Sequence, residues 1–162
     1  MKDFLPQALI SQIASSEIMA CNKETKKYGL ILTQEDVGQI LERRKEALLS
    51  YGRIEIGGGI IPKLIEIFCD SPYLEAQNYE STIEELVETF YYFKNEALDT
   101  LSDEELLKLM RQYFDEYCGG DIELLQQSAL EQLTRNIRYG HEDYTQLDER
   151  AKLYLGDDLN EY

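Results

Sequence analysis

The sequence predicts an all-α protein, a single compact bundle of six or seven amphipathic helices with at most one short extended segment near residues 53–56. Two observations predict it. Tyr28-Gly29, Tyr51-Gly52, Cys118-Gly119 and Tyr139-Gly140 each close a stretch of apolar residues spaced three or four apart, where a left-handed glycine ends a helix. Start signals match these stops: Pro6, Thr33 with Asp36 three residues on, Pro62, Ser102 with Glu105, and Ser128 with Glu131.

The elements follow in order. A first helix is expected from Pro6 to Lys26, with Leu9, Ile10, Ile13, Ile18 and Cys21 near one side. The second, Thr33 to Tyr51, repeats the pattern with Val37, Ile40, Leu41 and Leu48. The alternation Arg53-Ile54-Glu55-Ile56 reads as the extended segment and runs into Gly57-Gly58-Gly59. A third helix starts near Pro62, buries Leu64, Ile65 and Phe68, and stops before Ser71-Pro72. The fourth, Tyr79 to Asp99, carries Ile83, Leu86, Val87, Phe90, Tyr91, Lys94, Ala97 and Leu98. Ser102 to Cys118 forms the fifth, with Leu106, Leu109, Met110, Tyr113, Phe114 and Tyr117 on one stripe, antiparallel to the fourth because the connection is short. A helical stretch from Asp121 leads to a cap at Ser128, which opens a last helix with Leu130, Leu133 and Ile137. Residues 1–140 are thus read as one helical domain, and 141–162 as an acidic tail or a short peripheral helix around Leu147 to Leu155.

Charge narrows the partners. Residues 1–63 hold nine Lys/Arg and eight Asp/Glu, whereas 64–162 hold seven and twenty-four, so almost all of the net charge of -16 belongs to the C-terminal part. Such a field repels phosphates and anionic lipid, and attracts basic proteins or cations. No direct nucleic-acid contact and no membrane insertion are expected, since no stretch approaches the roughly 18 apolar residues of a span. Cys21, Cys69 and Cys118 are far apart and unpaired by motif, which fits reduced thiols in a cytoplasm. The interrupted apolar pattern after Pro6 makes no signal-peptide core.

Chemistry has few candidates. Gly57, Gly58 and Gly59, followed by a helix whose first turn includes Lys63, have the layout of an anion or small-ligand site, though neither the P-loop nor the dinucleotide glycine spacing is present. The glutamates Glu80, Glu84 and Glu88 share a helix face. A di-iron bundle needs two histidines, and this chain has only His141, so no metal or cofactor is expected and no catalytic group is assigned. The thiols Cys69 and Cys118 sit at helix C-termini, where the dipole disfavours a thiolate. Tyr92 and Phe93 lie off the main stripe of the fourth helix; with Glu84, Glu85 and Glu88 they are the expected partner surface.

Four segments carry a family resemblance: Ile56-Gly57-Gly58-Gly59-Ile60-Ile61, Phe68-Cys69-Asp70-Ser71-Pro72-Tyr73, Phe90-Tyr91-Tyr92-Phe93-Lys94-Asn95-Glu96 and Asn136-Ile137-Arg138-Tyr139-Gly140. The chain resembles, over roughly residues 4–140, a family of small acidic proteins of unknown function from Gram-positive anaerobes. The resemblance implies a bacterial domain and lends no catalytic residue.

The leading expectation is a cytoplasmic, non-enzymatic interaction module that docks a basic protein or its own second copy. An anion-binding or small-molecule regulator built on Gly57–Gly59 is the alternative. A nucleic-acid mimic occupying the basic groove of a DNA-binding protein is the third.

Overall fold

The computed structural model describes residues 7–147, and every regular element in them is helical. Six helices run in order: α1 Gln7–Met19, α2 Gln34–Tyr51, α3 Ile61–Phe68, α4 Tyr79–Glu96, α5 Asp103–Glu116, and α6, which joins Ile122–Leu124, a π turn at Leu125–Ala129 and Leu130–Arg138. The all-α expectation and its helix number hold. Contacts divide the chain into two compact units. One comprises the described residues up to Asp70 together with Leu74–Glu88, and the other comprises Ser71–Tyr73 and the described residues from Thr89 onward.

In the first unit α1 packs on α2 and α3. Its core consists of Ala14 and Ile18, Val37, Ile40 and Ala47, Ile61, Leu64, Ile65 and Phe68, and from the start of α4 Tyr79, Ile83, Leu86 and Val87. Each large apolar side chain withdrawn from water contributes about 1.5–3 kcal/mol. Thr33 starts α2 by a reciprocal capping box, the Asp36 amide donating to Thr33 Oγ1 at 3.0 Å and the Thr33 amide to Asp36 Oδ2 at 2.9 Å.

The first helix is shorter than expected. It stops at Met19; one turn, Asn22–Thr25, and a 3-10 turn, Lys26–Tyr28, follow. The break serves the next loop. Asn22 brackets the Leu32 backbone with two 2.9 Å hydrogen bonds, and Thr25 Oγ1 donates to the Leu30 carbonyl at 2.7 Å, which seats Leu30 and Leu32 in the core. Leu9 and Ile13 are correspondingly exposed.

The second unit is built on the C-terminal half of α4, on α5 and on α6, with Phe90, Tyr91, Phe93, Ala97, Leu101, Leu106, Leu107, Met110, Tyr113, Phe114, Leu125, Leu130 and Leu133 buried. Ser102 caps α5 through a second reciprocal box with Glu105. Lys94, buried, reaches past the end of its own helix to the Leu101 carbonyl and to Asp103 Oδ1 at 3.0 Å. α4 ends at Glu96 rather than Asp99, because Leu98 and Asp99 adopt positive φ of 55° and 58°; Leu98 is exposed and Leu101 takes the core position. Ser128 is not a cap. The cap is Asp121, whose Oδ1 accepts from the Leu124 amide at 3.2 Å, and the helix runs on through the π turn containing Ser128. Gln126 on that turn donates to Thr89 Oγ1 at 2.7 Å.

Past Gly140 the chain is held as far as Leu147. Asn136 Nδ2 donates to the Tyr144 and Gln146 carbonyls, both at 3.2 Å, Tyr113 Oη donates to the Thr145 carbonyl at 2.7 Å, and Leu147 is buried. Beyond Leu147 the expected peripheral helix lies outside the described residues.

Candidate functional site

The glycine loop holds anions, and they are the protein's own. Gly57 and Gly59 take left-handed backbone angles, φ 63° and 59°, which turn successive amides into one concavity. The Gly58 amide donates to Glu17 Oε2 of α1 at 3.1 Å, and the Ile60 amide to Glu55 Oε1 at 3.4 Å. The buried Arg44 of α2 closes the arrangement at 3.4 Å from Glu55 Oε1. The fit is close: a Cβ on Gly57 would stand 2.6 Å from Glu17 Oε1, and one on Gly59 1.8 Å from Glu55 Oε1. Lys63 takes no part in it; it is exposed and paired with Glu66 at 3.7 Å.

Of the expected partner surface, the structure brings together Glu84 and Glu88, both on Arg43 of α2: Nε lies 3.4 Å from Glu84 Oε1, and Nη1 donates to Glu88. Glu85 is exposed. Tyr92, in the second unit, is 41% exposed, whereas Phe93 is only 2% exposed and belongs to the core, a correction to the expected surface. The reason is spacing: Phe93 lies three residues after Phe90 and four before Ala97, on the stripe itself, so the available 3–4 periodicity places it inward.

Glu80 lies one turn before Glu84 with one carboxylate oxygen buried. Burial, then the adjacent Glu84 carboxylate and Asp36, push its pKa up to about 7, against the opposing pull of Arg43. A carboxyl whose pKa is raised by folding stabilises the fold below its ordinary value of 4.5, and that contribution is lost as pH rises through 7. Glu80→Gln should therefore melt at the same temperature as wild type near pH 4 and several degrees higher near pH 8, about the size expected for removing a repelled carboxylate. Paired thermal melts across that range check it.

Sequence reasoning did not find the most exposed large apolar side chains among the described residues, Ile54 and Ile56. Along Arg53–Ile56 the exposure alternates, which is the period of extended backbone, yet Ile54 and Ile56 point outward, 92% and 90% exposed, while Arg53 and Glu55 are half-buried. Leu49, also exposed, stands with Ile54 on a groove of about 450 Å³ whose other walls include Leu41, Leu48, Glu42 and Lys45. The alternation was visible in the sequence. Its sense was not, because Arg44 and the loop amides draw Glu55 inward.

Other chemical groups are quiet. Burial and Asp121 push the Cys118 thiol up to about 12, so it is a poor nucleophile at neutral pH. His141 is exposed on the turn after α6. Among the described residues no group of three or more His, Cys, Asp or Glu side chains is arranged to hold a metal ion, and no helix is long and apolar enough to cross a membrane.

A sequence model described as a family of unknown function, DUF6323, matches residues 17–143. No curated protein and no solved structure matches the chain.

Proposed function

Since the chain belongs to the DUF6323 family, whose function is unknown, we propose that it works by docking another polypeptide rather than by catalysis. The observation that carries this reading is the pair of isoleucines, Ile54 and Ile56, turned to solvent from a backbone whose charged residues face inward. Solvating two such side chains is costly, and a cluster of this kind beside a groove is what a partner covers. The occupant is a protein of net positive charge that lays an apolar segment along Leu49, Ile54 and Ile56. The net charge of -16, carried almost entirely by residues 64–162, attracts such a partner to the molecule as a whole, and the near-neutral groove engages it by apolar contact. Glu85, exposed in the first unit, is a secondary contact in the same reading, and Tyr92, exposed in the second unit, is a separate one. Three cysteines outside any disulfide suit the cytoplasm of a bacterium, and the Gram-positive anaerobes suggested by the sequence resemblance complete the proposed setting.

The anion-binding alternative is disfavoured by the engagement of the Gly58 and Ile60 amides with Glu17 and Glu55.

Affinity capture with wild type and with Ile54→Asp, Ile56→Asp tests the proposal. Wild type should retain one stoichiometric protein of net positive charge, released in about 1 M salt, where the screening length falls to about 3 Å. The double variant should bind it at least about 30-fold more weakly, the loss typical of a central apolar contact, with stability changed by no more than about 0.5 kcal/mol because both side chains are exposed. Equal capture by the variant sinks the reading, and a concentration-dependent dimer of wild type that the variant abolishes would replace the foreign partner by a second copy.

A further inference from the structure

The outward isoleucines stand on backbone that is itself open. Ile54 and Ile56 are exposed as whole residues, main chain included. The amide and carbonyl of Ile54, those of Glu55, and the amide of Ile56 make no hydrogen bond to any described residue. Extended backbone of this kind has two edges: a residue's amide and carbonyl point to one side, and those of the next residue to the other.

The two edges differ. The Arg53 amide donates to the Leu48 carbonyl at 2.9 Å, so the edge that Arg53 shares with Glu55 turns toward the end of α2. The edge of Ile54 and Ile56 therefore turns away from that helix. It ends where the Gly59 amide donates to the Ile56 carbonyl at 3.2 Å. What stays open on it, both groups of Ile54 and the amide of the residue two places on, is the set that a neighbouring strand takes up.

The side chains point the same way. Solvent-facing edges in native sheets are usually guarded by charge or proline, and here two β-branched apolar residues occupy the exposed face. They are two apart, the spacing that pairs with apolar side chains two apart on an added strand. A helix laid in the groove satisfies none of these backbone groups, because its own amides and carbonyls are paired internally.

Charge selects the flanks. Arg44 and Glu55 neutralise one another. On α2, Glu42 and Glu46 share a face with Leu49 and are exposed without an ion pair, and Lys45 alone opposes them. A segment with lysine or arginine at its ends is favoured there over an acidic one.

We infer that the partner's docking segment is an extended stretch with basic flanks that adds to the Ile54–Ile56 edge as a β-strand. This rests on docking at Ile54 and Ile56 and specifies the form of the occupant.

The peptide acetyl-Lys-Lys-Val-Thr-Val-Lys-Lys-amide is a suitable probe, with amide hydrogen exchange on the full chain as the readout. At saturating, millimolar peptide the Ile54 and Ile56 amides should exchange at least about tenfold more slowly, while the Glu55 amide, on the other edge, is unchanged. The same peptide methylated on the nitrogens of its valines and threonine should bind at least about tenfold more weakly, since it cannot pair along either edge. The acidic counterpart, with glutamate for every lysine, should also bind more weakly. Equal binding by the methylated or the acidic peptide would overturn the inference, as would equal protection of all the amides from 54 to 56 or no effect at millimolar peptide. So would a peptide-free dimer that already protects Ile54 and Ile56, because the strand would then come from a second copy. Failure of this kind leaves docking itself standing, since capture with Ile54→Asp, Ile56→Asp decides that separately.

Discussion

Replacing Arg44 by methionine should destabilise the protein by about 3 kcal/mol, the cost of leaving one member of a buried ion pair alone, and lower the melting temperature by roughly 6–12 °C. The apolar part of the side chain is kept, so the loss comes from Glu55, which is half-buried, accepts from the Ile60 amide and has Arg44 3.4 Å away as its counter-ion. The double variant Arg44→Met, Glu55→Met should recover part of that loss, since removing both charges also removes the stranded one. Denaturant melts of the three proteins decide it: if the double variant is as unstable as the sum of the two single ones, the guanidinium acts by packing and not by charge.

In the second unit, Gly120→Ala should cost about 3 kcal/mol. Gly120 has φ 83°, and its amide donates to the Phe114 carbonyl at 2.8 Å where α5 ends. A side chain there carries the left-handed penalty of about 1–2 kcal/mol, and its Cβ would stand 2.5 Å from both Cβ and Cγ of Tyr73. Tyr73 is poorly placed to yield, because its backbone is tied down through Ser71, whose hydroxyl accepts from the Tyr73 amide at 3.3 Å and donates to Asp115 at 2.7 Å, and its ring packs edge-on against Phe114 at 6.1 Å. Gly119 is the control. It is left-handed too, φ 57°, but a Cβ there meets nothing within 4 Å, so Gly119→Ala should show the backbone penalty alone. Equal losses at the two positions would mean that the Tyr73 contact relaxes freely.

Much of the helical plan could be read from local chemistry, for a physical reason: caps and stops are decided within four residues. Thr33 and Ser102 signal their boxes through Asp36 and Glu105, and Gly29, Gly52, Gly119 and Gly140 all adopt the left-handed angles that their positions suggested. The failures lie where a distant group decides. The first helix ends early because the Asn22 side chain binds the backbone of Leu32, ten residues on. Ser128 looks like a cap because its local chemistry is right, but the helix begun by Asp121 overrides it and takes up its misfit as a π turn. Leu98 keeps helical spacing in sequence and leaves the helix in space, since Lys94 is drawn to the Leu101 carbonyl.

The candidate sites were legible to a lesser degree. The glycine loop was recognisable as an anion cradle from Gly57 to Gly59 alone. That Glu17, forty-one residues before Gly58, fills it is a tertiary fact with no sequence mark. Likewise the Arg53–Ile56 alternation announced extended backbone but not which side faces water.

The tether between Glu17 and Gly58 also sets a threshold for competitors. Two groups joined through the same folded chain meet at an effective concentration of millimolar or more, and a free phosphate must exceed that local supply of carboxylate before it can enter the loop. Glu17 therefore competes from within the chain for the Gly58 amide against any free anion.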